Sequence, residues 1–221
     1  MKKAQTLQQR LKDRRSKKVI FLSHCILNEN TRYLGGACRG GCVREITQQC
    51  LDNDWGIVQM LCPEQQAWGG VTKRWLLMAY GIKGIYLYHM RNLILPLFLW
   101  CTNLIYRRLA KATADQINDY LVSGYSVIGV IGINGSPSCG VSTTLGFGKS
   151  FELTASMDIE SVTVDQMNTI IRQCIIDGRG LFTARLQEEL KKRRIDVPYG
   201  AHDLIAEIDG KTPTLGILSS L

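Results

Sequence analysis

The chain predicts an α/β fold: a mainly parallel sheet with helices on both faces, Rossmann-like in layout. Three observations predict it. Short apolar runs rich in Val and Ile read as buried strands, stretches at helical spacing lie between them, and 221 residues suit one domain with a modest insertion.

Residues 18–23 are the first such run and read as a buried strand. From about 41 to 52, Val43, Ile46, Cys50 and Leu51 recur at helical spacing, and residues 56–61 form a second strand. Thr113 and Gln116 resemble a capping box that opens a helix ending at Gly124. Residues 126–133 are a third buried strand, softened by its glycines. The clearest helix runs over 163–177: Thr163 and Gln166 cap it, Val164, Met167, Ile171, Cys174 and Ile175 form a face, and Gly178 stops it. A last helix over 181–194 ends in the basic run 191–194, which suits a helix C-terminus. The stretch 75–106 is apolar and aromatic, without charge from 92 to 106 and interrupted by Pro96. That uncharged run is shorter than the ~20 residues of a membrane span, so an insertion over about 71–112, buried or forming a lid, is expected, with an oligomer contact or an interfacial membrane segment as the other readings and no spanning segment.

Net charge is +8, and residues 1–18 hold eight Lys/Arg against one Asp. The other 203 residues hold 19 basic and 18 acidic side chains, so the body is nearly neutral. A leader over 1–17 therefore precedes a single domain over 18–221. The leader is read as a solvated or packing helix, with contact to RNA or an acidic membrane as the alternative; nucleic acid is not the expected partner, and residues 1–18 are where it would dock. No apolar stretch follows the basic start, so no secretory signal is read and a reducing cytoplasm is expected. There, cysteines more often bind metal or react than pair.

Three of the eight cysteines each follow a strand: Cys25 after Ser23 and His24, Cys62 before Pro63 and Glu64, and Cys139 within Ser136-Pro137-Ser138-Cys139-Gly140. Ligands of open parallel sheets bind beyond the carboxyl ends of the strands, so three distant thiols are delivered to one edge. Three thiolates leave a metal corner open, as a catalytic site requires, although their spacing does not choose iron over zinc or over thiol redox chemistry. Cys50 and Cys174 on apolar helix faces, and Cys101 in the apolar stretch, read as small buried hydrophobes. Cys38 and Cys42 are read as idle, a redox pair, or a fourth ligand.

Ser23-x-Cys25 followed by Arg32-Tyr33, Cys62-Pro63-Glu64 with Gly69-Gly70, and Ser136-Pro137-Ser138-Cys139-Gly140 together resemble the 2-thiouracil desulfurase family. Residues 180–186 are similar to that family's last helix, and the likeness covers most of 18–198, with 71–112 divergent. The resemblance implies a 4Fe-4S cluster held by Cys25, Cys62 and Cys139, with one iron open to take sulfur from a small thiolated heterocycle or thioamide. It implies Glu64 as acid/base and Ser136 as the residue that orients substrate or relays a proton; Ser23, His24 and Ser138 are read beside them as accessories, His24 as a ligand or proton carrier. His24 stands where a small residue is expected, Lys73-Arg74 where the family tends to show Pro-Arg, and Ile133, Asn134 and Gly135 where it carries basic residues. A carrier of iron–sulfur or sulfur, docking RNA or protein through the leader, is the alternative expectation. The oligomeric state is not legible. Residues 146–150 end like a P-loop, but Thr143 stands where that motif needs Gly, so no nucleotide site is read.

Overall fold

The computed structural model describes residues 10–11, 13–79, 90–155, 157 and 161–212. Most of the basic leader, and residues 80–89 of the expected insertion, lie outside that set. Four parallel strands, β1 (Lys18–Leu22), β2 (Gly56–Gln59), β3 (Ser126–Asn134) and β6 (Tyr199–Asp203), form one sheet in the order β2-β1-β3-β6. The chain leaves β1 for β2 on one side and then crosses back to β3 on the other. The carboxyl ends of β1 and β3 therefore flank the switch point where such sheets bind ligands. A separate antiparallel pair, β4 (Thr143–Leu145) with β5 (Ile175–Asp177), lies downstream of β3.

Side chains alternating along β1 feed two cores. Val19 and Phe21 join Val130 beneath α5 (Arg91–Val122) and α8 (Leu181–Lys192). Ile20 and Leu22 join Ile131 and Ile133 against α1 (His24–Leu27), α2 (Arg44–Asp52) and Leu204 of α9 (Leu204–Ile208). The remaining helices are α3 (Pro63–Ala67), α4 (Arg74–Ala79), α6 (Phe147–Ala155) and α7 (Val164–Cys174). The Thr163/Gln166 capping box forms as read, but α7 ends at Cys174, where the chain turns into β5.

The middle of the chain differs most from expectation. Thr113 and Gln116 start nothing: they lie deep within α5, 32 residues and ~48 Å long, which also accommodates Pro96. Capping residues signal a start only where no helix already precedes them. The uncharged run ends at Arg107 and Arg108, but the helix does not, and Asn92–Val122 is by length and composition apolar enough to cross a membrane. Its second half belongs to the protein core, with Tyr106, Ala110, Ala114 and Ile117 fully buried. Cys101 is exposed, not buried as expected, because it faces away from that core.

Candidate functional site

Each of the three strand-following cysteines is set by a different local device. Cys25 lies in the first turn of α1, directly beyond β1, whose end is fixed by the Ser23 N–H donating to Ile131 O at 3.0 Å. Cys62 is the N-cap of α3, and its sulfur accepts the Gln65 N–H at 3.4 Å. Cys139 ends a tight loop after β3 in which Ser136 Oγ accepts the N–H groups of Ser138 (3.3 Å) and Cys139 (3.0 Å). Two glycines make that loop possible. A Cβ on Gly132 would meet Cys139 O at 2.1 Å, and one on Gly140 would meet Thr143 O at 2.3 Å. The glycines that dilute β3 are thus what lets the cysteine loop fold back onto the strand.

All three cysteines line one cavity of about 320 Å³, together with Glu64, Lys73, Ser136 and Ser138. His24 and Arg32 also reach its wall, and much of the remainder is apolar, including Trp68, Leu76, Phe147 and Ile170. A largely apolar pocket with a few convergent polar groups is the usual form of a small-molecule site. Glu64 is held at both oxygens. Lys73 Nζ lies 2.6 Å from Oε2, and Ser138 Oγ donates to Oε1 at 2.7 Å. Ser136 Oγ stands at 3.5 Å from Oε1, so Ser138 is Glu64's closer partner, and Ser136 chiefly braces the loop.

The electrostatics follow from burial. Desolvation raises Cys25 well above the ordinary thiol range, reinforced by Cys139, Cys62 and Glu64 and opposed by the Arg32 guanidinium. Burial pushes Cys139 up to about 12 and Cys62 to about 11. Ser23 Oγ is buried and makes no hydrogen bond by geometry, yet it lies close enough to Cys139 to ease that thiol's ionisation. Burial works against the Lys73 ammonium, but Glu64 and the Cys62 and Cys25 thiols more than offset it and hold the amine above its ordinary range. His24 is shifted down by burial, and its Nδ1 has no partner.

Sequence reasoning missed two residues here. Lys73, only 8% exposed at its side chain, has a positive φ of 52°. Nothing in its local sequence separates it from the exposed Arg74 beside it. Tyr106 reaches under the site from α5, and burial raises its phenol well above the ordinary range, with Glu64, Cys139 and Cys62 adding to the shift. Cys38 and Cys42 do not line the cavity. The loop between them is pinned elsewhere, with the N–H groups of Cys38 (2.8 Å) and Arg39 (2.9 Å) donating to buried Glu29.

As a metal centre the donor set is three thiols at one cavity. Among the described residues, no three His, Cys, Asp or Glu side chains are gathered as one metal ion needs. A polynuclear cluster has looser demands, because each cysteine binds a different iron. The thiols, the unpartnered Ser23 hydroxyl and the nearby Lys73 and Arg32 cations fit an anionic cluster of that kind. The chain matches no protein-family model, no curated protein and no solved structure.

Proposed function

We propose that the protein is an iron–sulfur-dependent desulfurase acting on a small thiolated heterocycle or thioamide. The observation that carries this reading is the cavity that gathers Cys25, Cys62 and Cys139 around the Lys73–Glu64–Ser138 chain. Cys25, Cys62 and Cys139 would hold a 4Fe-4S cluster, binding it as thiolates and releasing their protons. When bound, the cluster supplies an iron without a protein ligand that takes the sulfur leaving the substrate.

The chain's own residues handle water and protons. The net reaction exchanges C=S for C=O: water adds to the thiolated carbon, and sulfur leaves as sulfide. Glu64, whose Oε2 keeps a further lone pair beside Lys73, accepts the proton of the attacking water. Lys73 pairs with one Glu64 oxygen and Ser138 donates to the other, so the direction of the carboxyl group is set from both sides. Trp68, Leu76 and Phe147 exclude bulk water from the remaining volume.

The test is iron and acid-labile sulfide per chain after anaerobic purification, with turnover of 2-thiouracil. Equal amounts of iron and sulfide, lost in Cys139→Ala, are expected. Glu64→Gln should keep both while lowering turnover by ~10²–10⁴-fold. A chain that takes up neither after reconstitution, or a Glu64→Gln variant of full activity, would overturn the reading.

A further inference from the structure

The body of the chain is neutral in sum but not in distribution. Residues 65–114 contain seven Lys/Arg and no Asp or Glu. The same stretch carries the first half of α5, whose inner side is anchored by Trp68. That indole packs at 6.4 Å from the Phe98 ring, and its N–H donates to Thr102 Oγ1 at 3.1 Å. The outer side is a single stripe. Leu93, Leu97, Trp100 and Leu104 follow one another in steps of four, three and four, and are 71%, 61%, 59% and 44% exposed. Further along, the helix presents Arg107, Arg108 and Lys111, all exposed and none in an ion pair among the described residues. Helix α4, which packs on α5, adds the exposed Trp75 and Arg74.

From this we infer that the outer stripe of α5 is a docking surface for an anionic lipid bilayer, on which the helix lies in the interface without crossing it. Leucines and tryptophans enter the headgroup–acyl boundary while the flanking cations meet the phosphates, the arrangement of an interfacial amphipathic helix. Crossing is excluded by the second half of the helix, whose Tyr106, Ala110, Ala114 and Ile117 are fixed in the protein core. A second copy of this chain suits the stripe less well, since it would bring the same cations to the seam with no acidic residue on this stretch to answer them. A nucleic-acid backbone would engage the cations but has no use for three leucines. The surface is independent of the thiol cavity's chemistry.

The test is co-sedimentation of the full chain with phosphatidylcholine vesicles prepared with and without phosphatidylglycerol. Binding to the anionic vesicles, weak binding to the neutral ones, and a loss of about tenfold or more in Leu97→Ser/Trp100→Ser are expected. Brominated lipid should quench a component of the wild-type tryptophan fluorescence that Trp100→Phe lacks, which decides the matter even if the serine variant folds poorly. Several results would overturn the inference: no binding to anionic vesicles, binding unchanged in the stripe variant, dimers abolished by that variant without vesicle binding, or retention by RNA alone.

Discussion

Two buried ion-pair clusters lie at the carboxyl edge of the same sheet, and they differ in what surrounds them. In the first, Glu207 accepts from Arg32 Nη1 at 2.6 Å, contacts His202 Nε2 at 2.7 Å and pairs with Arg39, while Glu29 lies 3.3 Å from both guanidiniums. This cluster clamps the loop after α1 to β6 and α9, joining residues up to 175 positions apart. In the second, Glu64 and Lys73 pair inside a cavity with two serines and three thiols. The ionic chemistry is the same, yet one pair tightens the fold and the other faces space a ligand can fill. Arg32 touches both, since it also eases the ionisation of Cys25.

The sharpest way to break this comparison is to neutralise each carboxylate in turn. Glu207→Gln leaves Arg32, which cannot shed its charge, with Glu29 alone, and Arg39 with Glu29 and the exposed Glu45. Unfolding free energy should fall by about 3–5 kcal/mol in a denaturant titration. Glu64→Gln should cost less stability, because Lys73 can lose its proton and lines an open cavity. Equal destabilisation by the two variants would erase the distinction.

The next test concerns Lys73. Lys73→Met removes the cation but keeps an apolar stem, so the base loses the ion-pair partner that holds it in place. Turnover should fall about tenfold or more through kcat, with iron content retained, and Lys73→Arg should restore part of it. A change confined to KM, or no rescue by Arg, would make Lys73 a packing residue.

These clusters were unequally legible in sequence, for a physical reason. Strands β1, β2 and β3 are apolar runs, and the cysteines that follow them mark the edge to which they are delivered. Strand β6, Tyr199-Gly200-Ala201-His202-Asp203, lies at the sheet edge and carries no such run, so its His202 was unreadable as sharing Glu207 with Arg32. Lys73 reaches Glu64 only through the turn after α3, and no periodicity records a turn. The net charge of the body hid the unbalanced stretch 65–114 because sums cancel what position separates.

The effect that falls to zero toward neutral pH is a pH dependence that belongs to the clamp alone. His202 is fully buried, and burial, then Arg32 and Arg39, lower it to about 4, with Asp203 and Glu45 pulling weakly the other way. Glu207 lies within hydrogen-bonding distance but is already shared with both guanidiniums, so it does not reverse the shift. Its unfolded value is about 6.5. Between the two values the unfolded chain binds a proton that the folded chain refuses. This group therefore costs no stability above about pH 6.5, and its penalty grows as pH falls toward 4, by at most about 1.4 kcal/mol per pH unit. Denaturant midpoints measured across that window should decline in the wild type and flatten in His202→Gln. Glu64→Gln should leave that slope untouched, because the cavity pair does not share the clamp's histidine. If it removes the slope, the two clusters are one.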